Sequence, residues 1–499
     1  MTSLFIGGGF SESQLLKVIP VAHGLSVQNG IKTWIFEDSQ FRKFNGVPEL
    51  EEILSNYRVT VWQSVESKPF RRLILSIFFI ARNALSILSL ALAARRGNLL
   101  VDGDWSRVQL IHATWDRALQ SVPDGTIRVS LLRRVFSARR ALKMYKATIR
   151  FVEDEGVRLA LLGHTVYEWR AALVAFREAG VKVLGQAAFV FYSLPPDYDL
   201  AWDMLSAKER SSLFSLVSPS ESERYWESRL SGLGAYSDAR IAARGEDVVS
   251  TETPKNLLML HVFRDSPFNY LDMHRLFDDY VDWVLGTIRI LADSTETWLI
   301  KPHPSAKRWG EDQDIWLKKI ARHVLKSEGL PNNVTVLDRD VSNIGLLANA
   351  RRVVTFGGTA HLEAACFGIK PITIMDTTLA QFSPGAVLKP RSMGQYRELL
   401  LCNSYLDLFQ LNQAEINLSR RVLYLREKVL TIERDIGALP VYRGDSVSQQ
   451  IANYESMLHK LPDSWPELVR QGKELGTGLP RTVAFDFFDR WREEYAKLP

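Results

Sequence analysis

Between Asn256 and Met375 the chain alternates apolar runs of strand length with amphipathic runs of helix length. NLLMLHVFRD is followed by LFDDYVDWVLGTIRILADS, WLIKPHPS, IWLKKIARHVLKSEG, NVTVLD, SNIGLLANA and VVTF, and then by a helix and KPITIM. The first helix sets Leu276, Tyr280, Trp283, Val284, Ile288 and Leu291 at helical spacing. Strand and helix in strict succession leave one economical solution, a parallel sheet covered on its faces by crossover helices. In such a sheet the loops after the strands gather on one edge, and that edge is where ligands bind.

The first part of the chain has the same rhythm, more loosely. A strand at Ser3–Phe5 runs into Gly7-Gly8-Gly9, and a helix and the strand KTWIFED follow. The glycines give either a tight turn or close approach of a substrate, with Gly8 and Gly9 as candidates on the acceptor side. RLALLGHTV reads as a buried strand that delivers Gly163, His164, Thr165, Tyr167 and Glu168 to its carboxyl end. His164 is a candidate catalytic base or orienting group there; as an alternative it caps the next helix. Tyr167 and Glu168 join it as acceptor-side candidates.

At 499 residues the chain is too long for one core. Periodicity fades between Pro195 and Lys255, so the expected division is residues 1–245, 246–390, and a helical segment 391–499. The fold class expected is α/β, with two facing Rossmann-like domains. Helices are expected over Gln395–Asn412 and Gln413–Ile436, and the last helix is a candidate to pack back on the first domain.

The chemistry concentrates at three strand ends of the second half. WLIKPHPS stops at a Pro-His-Pro turn with Lys301, His303 and Ser305. VVTFGGTAHLEAACFGIKPITIM is a strand, a turn at Gly357, Gly358 and Thr359, a helix carrying Glu363, and a second strand. A small-residue turn opening a helix presents N–H groups to an anion, and His303 is a suitable phosphate donor. Glu363 is either an acceptor for a ribose diol or a solvated helix carboxylate. Asp265 ends the strand NLLMLHVFRD, which also delivers His261. It reads as a base, as a nucleophile on a sugar carbon, or as a helix cap. Together these groups suit group transfer from a phosphate-activated donor, with the leaving phosphate met by cationic and N–H donors.

Other chemistries lack their signatures. There is no GxGxxG with its downstream acid, no GxxxxGK[ST], no HExxH and no GxSxG. Asp102-Gly103-Asp104 reads better as a turn than as a cation site, so no metal site and no cofactor are expected. The two cysteines, Cys366 and Cys402, have no metal-type spacing, and Cys366 reads as a core residue. A net charge of +5 spread over this length does not by itself indicate nucleic-acid binding, which calls for a concentrated basic stripe. The start MTSLFIGGGF has no signal-peptide pattern, which points to the cytoplasm. Leu73–Ala94 is long enough to span a bilayer, but Arg82 and Asn83 sit at its centre. A buried or interfacial helix is the expectation there.

HVFRDSPF, LFDDYVDWVLGTI, WLIKPHPS, LPNNVTVL, TFGGTAHLEAACFGIKPI and QFSPGAVLKPRSMGQYRELL, in this order, resemble bacterial surface-carbohydrate glycosyltransferases of GT-B fold, in the capsule and lipopolysaccharide group. GHTVYEWRAALVAFREAGVKV is similar to a further segment of that group. The resemblance implies a GT-B-like, metal-independent transferase that uses a nucleotide-sugar and extends a polysaccharide or glycolipid. It places such a protein at the cytoplasmic face of the inner membrane, with peripheral membrane association. It implies that His303 contacts the donor phosphate and that Thr359 and Glu363 line the nucleotide pocket. The His-Pro pair is also similar to that of Kdo transferases using CMP-activated sugars, which singles out Asp265. CDP-polyol phosphotransferases share the theme, and a non-catalytic carbohydrate-binding or assembly protein is the other alternative. Gln381-Phe382 and Gly385-Ala386 stand where relatives often carry Tyr and Gly-Phe.

Overall fold

The computed structural model describes residues 3–7, 32–36, 59–62, 69–99, 104–162, 166–187, 190–193, 214, 217–230, 255–265, 276–327, 329–401 and 406–425. The first sheet is built from β1 (Ser3–Gly7), β2 (Lys32–Phe36), β3 (Val59–Trp62), β4 (Val157–Leu162), β5 (Lys182–Ala187) and β6 (Val190–Ser193). Its strand order is β3-β2-β1-β4-β5-β6, parallel except for the β5–β6 pair. The second sheet is built from β7 (Lys255–Met259), β8 (Trp298–Lys301), β9 (Val334–Val336), β10 (Ala350–Thr355) and β11 (Ile372–Thr373). Its order is β11-β10-β7-β8-β9, parallel throughout.

Both sheets are therefore wound outward from their first strand and then back to its other side, as in doubly wound nucleotide-binding folds. The chain reverses between β1 and β4 in the first sheet and between β7 and β10 in the second. The fold is α/β, with two Rossmann-like sheets followed by further helices.

Helices of the first half reach the second. These are α1 (Pro69–Ala93), α2 (Trp105–Gln120) and α3 (Leu131–Glu155). Ile87, Leu90, Trp115, Leu119, Ala138 and Leu142 share one apolar cluster with Leu258, Phe263, Trp283 and Trp298. A polar knot pins the junction. Asp279, the cap of α6 (Tyr280–Leu291), receives Arg96 at 2.8 Å and the Trp115 indole N–H at 3.1 Å. α4 (Glu168–Glu178) packs on β4 through Trp169, Leu173 and Phe176.

Asp104, weighed above as half of a cation site, instead caps α2, accepting the Arg107 N–H at 2.9 Å. Cys366 is buried in the core. The apolar α1 is neither wholly buried nor bare. Ile87, Leu90 and Ala91 are in the core, while Phe78, Leu85 and Leu92 face solvent. Asn83 turns inward, donating to the Phe79 carbonyl at 2.7 Å, and Arg82 turns outward.

α5 (Pro219–Leu230) lies before residue 245, yet Val217, Tyr225 and Trp226 pack with Leu362, Cys366, Val422 and Leu423 of the second half. Beyond residue 390 the first helix ends before Asn412, and the end expected for the second, Ile436, lies outside the described residues. α11 spans Met393–Leu401 and α12 spans Gln413–Tyr424, separated by a 3-10 turn at Leu406–Phe409. A capping box between Asn412 and Glu415 starts the second of these helices. Among the described residues this segment packs on the second half. Tyr396 accepts the Trp283 indole N–H at 2.9 Å, and α12 joins the cluster around Leu362.

Candidate active site

The second sheet's reversal point sets three loops side by side. β7, β8 and β10 are parallel neighbours, so Leu260–Asp265, Pro302–Ser305 and Phe356–Thr359 leave from the same edge. His261 stands among them. Its ring lies 5.5 Å from that of His303 and stacks on Tyr280 at 4.4 Å with a 9° tilt. A Cβ on Gly358 would come within 3.3 Å of His261 Cδ2, so the glycine turn and the imidazole are in close approach. Burial lowers the His261 pKa, against a nearby Asp265 carboxylate that raises it, so the ring is neutral at pH 7. Its Nδ1 is buried without a hydrogen-bond partner among the described residues.

The loop bearing Asp265 is held by a carboxylate. Glu311 accepts the N–H of Phe263 at 2.9 Å and that of Arg264 at 3.0 Å. Gln313 donates to Glu311 at 2.9 Å and to the His261 carbonyl at 2.8 Å, and accepts the His303 N–H at 2.7 Å. One amide thus ties the Asp265 loop to the His303 loop. Arg264 reaches Asp124 of the first half at 3.2 Å, and Asp124 also accepts the Asp312 N–H and the Trp316 indole N–H. Burial pushes Glu311 up to about 7, against its N–H donors and Arg264, which pull it down.

Tyr167 brings the first half to this site. It precedes α4 with φ of 54° and ψ of −136°, a conformation costly for any residue but glycine. Its hydroxyl donates to Asp265 Oδ1 at 3.3 Å. Burial, then the Asp265 and Asp116 carboxylates, raise its pKa well above the ordinary value, so it remains a donor. An acceptor-side and a catalytic candidate, far apart in sequence, are therefore in contact.

His303 accepts the Ser305 N–H on Nδ1 at 3.1 Å. In the neutral ring this fixes the proton on Nε2, leaving that nitrogen as the donor. The Ser305 hydroxyl is buried without a hydrogen-bond partner among the described residues. Gly357 is required by packing, because a Cβ there would lie 2.4 Å from Met375 Cγ. Thr359 caps α9 (Ala360–Cys366), and its carbonyl accepts the Leu362 and Glu363 N–H groups.

Three candidates are engaged elsewhere. Lys301 is buried, and its ammonium donates to the carbonyls of Pro302 and Arg339. It ties the end of β8 to the loop after β9 rather than projecting toward an anion. Burial lowers its pKa to about 8, against Asp340 and Asp338. Glu363 is neither solvated nor directed at a diol, because Arg229 of α5 pairs with it at 2.5 Å and both are buried. Glu168 faces Arg117 at 3.6 Å, at ion-pair but not hydrogen-bond geometry.

His164, Gly8 and Gly9 lie outside the described residues. The strands leading to them, β1 and β4, are paired through Gly7 and Leu162 at the first sheet's reversal point. Glu311, Gln313 and Asp124 are the groups that sequence reading missed. The stretch GEDQD reads as a solvated turn, and no pattern in it announces a buried clamp.

The sequence matches no protein-family model and no curated protein. Solved structures are matched at low identity. The beta-Kdo 2,4-transferase KpsC of Thermosulfurimonas dismutans is 13% identical with a TM-score of 0.31, covering 54% of this chain and 80% of that one. The UDP-GlcNAc 2-epimerase of Neisseria meningitidis bound to UDP-GlcNAc is 12% identical with a TM-score of 0.30, covering 86% and 100%. The calicheamicin glycosyltransferase CalG4 is 11% identical with a TM-score of 0.28, covering 92% and 99%.

Proposed function

We propose that this protein is a glycosyltransferase that moves a sugar from a nucleotide-activated donor to a carbohydrate acceptor. The observation that carries the reading is the Tyr167–Asp265 contact, which joins the first half to the reversal point of the second sheet. In this reading His303 Nε2 donates to the donor phosphate, and Ser305 and the Gly357-Gly358-Thr359 turn line its pocket. Asp265, oriented by Tyr167, is the general base. The acceptor hydroxyl gives its proton to the Asp265 carboxylate while its oxygen bonds to the anomeric carbon. The bond from that carbon to the phosphate oxygen breaks, and the nucleotide leaves as an anion met by His303. The step calls for no metal or other cofactor.

The donor favoured is a CMP-activated ulosonate such as CMP-Kdo, and the acceptor a growing surface polysaccharide or glycolipid at the cytoplasmic face of the inner membrane. These rest on the sequence resemblance. A melting panel with CMP, CDP, UDP and GDP tests them. Ligand at a hundred times its Kd stabilises the fold by about 2.7 kcal/mol. CMP is expected to raise the Tm, and His303→Ala to weaken CMP about tenfold or more without loss of the fold, as for a hydrogen bond to a charged group. A response to CDP alone would favour polyol-phosphate transfer. No response to any nucleotide would leave a non-catalytic carbohydrate-binding role.

A further inference from the structure

Helices α1 and α3 lie antiparallel. Lys146 donates to Asn83, while Arg134 donates to the carbonyls of Ala91 and Ala94. Their inner faces are joined in the core through Ile87, Leu90, Ala138 and Leu142. Their outer faces are apolar where soluble helices are ordinarily polar. On α1, Phe78, Leu85, Leu88 and Leu92 recur at helical spacing, with Phe78 at 69% and Leu85 at 85% exposed. On α3, Leu132 and Phe136 are 64% and 54% exposed. Ser76–Ala93 is long and apolar enough to cross a membrane by length and composition, yet its other face is fixed in the protein core.

The charge on these helices is all of one sign where the apolar face lies. α1 has no acidic residue, and α3 has none before Glu153. The exposed stripe of α3 passes from Leu132 and Phe136 into Arg140, Lys143, Lys146 and Arg150, all exposed, and Arg82 and Arg95 border the face on α1 and just beyond it. Large apolar side chains beside a basic stripe, on helices that cannot leave the core, match the headgroup region of an anionic bilayer. The apolar groups enter the acyl boundary and the cations meet lipid phosphates.

We propose that the α1–α3 face docks this protein peripherally on an anionic membrane surface, with Phe78, Leu85, Leu88, Leu92, Leu132 and Phe136 inserted. This inference is independent of what the active site transfers. The test is sedimentation of the full chain with vesicles of phosphatidylcholine alone and with about 30% phosphatidylglycerol, a fraction in the range of anionic leaflets. Binding is expected only to the anionic vesicles, and release on raising salt as the surface charge is screened. Leu85→Glu is expected to weaken binding about tenfold or more, from the loss of one inserted side chain. Arg140→Glu with Lys143→Glu should weaken it by a similar factor. Leu85 is almost wholly exposed, so its variant should melt like the parent, and melting curves verify that. The proposal is overturned by absent or lipid-independent sedimentation, or by unchanged binding of Leu85→Glu. It is equally overturned if light scattering shows that Leu85→Glu splits an oligomer which does not bind vesicles. Resistance to alkaline extraction would overturn it too, in favour of a spanning helix.

Discussion

The two turns at the second sheet's reversal point are neighbours, one clamped by polar side chains and the other marked by close-packed glycines. The turn after β7 is held by polar groups. Glu311 takes two successive N–H groups, Gln313 takes the His261 carbonyl, and Arg264 reaches across to Asp124. The turn after β10 also has hydrogen bonds, the Phe356 carbonyl accepting the N–H groups of Ile374 and Met375 and the Gly358 carbonyl that of His361, but its two glycines are set by close contact. Gly357 lies against Met375 and Gly358 against His261, with no room for a side chain at Gly357. A loop that must aim a carboxylate needs directional bonds, which fix orientation. A loop that must let a ligand approach its backbone needs the absence of side chains. The contrast supports giving Asp265 the chemistry and Gly357-Gly358-Thr359 the binding.

The largest expected break is chemical. Asp265→Asn keeps the size of the side chain and the Glu311 clamp, and removes the proposed base. Transfer should fall by about 10²–10⁴-fold, the range of general-base catalysis, while nucleotide-induced stabilisation persists. Nucleotide release from CMP-, UDP- and GDP-sugars, followed alongside melting shifts, measures both. Transfer within twofold of the parent would reduce Asp265 to a structural residue.

Next comes the clamp itself, through pH. Glu311 is raised from its ordinary 4.5 to about 7 in the fold. Between those values the folded protein keeps a proton that the unfolded chain has released, so the Glu311 contribution to stability declines as pH rises from 4.5 to 7. Above 7 it is level. The change is on the order of 3 kcal/mol. Glu311→Gln has no such titration. The Tm of the parent minus that of the variant should therefore fall across the window, and a flat difference would show that Glu311 is ionised throughout.

The glycine turn should respond to added volume. Gly357→Ala places a methyl against Met375 and is expected to cost about 1–3 kcal/mol, as overpacking does. Met375→Ala in the same chain should recover part of that loss, giving a coupling measurable in denaturant melts. Simple additivity of the two would mean that the turn moves instead of Met375.

What was legible follows the same division. Alternating periodicity reports burial, and burial built both sheets, so the α/β class and the strand ends with His261, Asp265, His303 and Gly357-Gly358-Thr359 were visible in the sequence. Partnership was not. Lys301 and Glu363 have the right types at the right offsets, but their partners, the Arg339 carbonyl and Arg229, come from segments that no spacing rule connects to them. Glu311 was hidden for the converse reason, an acid in a polar turn that happens to fold inward. The packing of α5 on the second half was not legible either, because its Tyr225 and Trp226 are partnered by α9 and α12, both far downstream.

The smallest expected effect tests whether the two halves act as one site. Tyr167→Phe removes one hydroxyl and leaves the ring, the strained backbone and the burial. A single long hydrogen bond of 3.3 Å is at stake, with a net value of about 0.5–1.5 kcal/mol. That corresponds to roughly two- to tenfold in transfer rate. If Tyr167 acts through Asp265, the loss should vanish in an Asp265→Asn background, where the partner is already altered. If the loss persists there undiminished, Tyr167 contacts the acceptor by itself, and the contact across the halves aligns the loops without orienting the base.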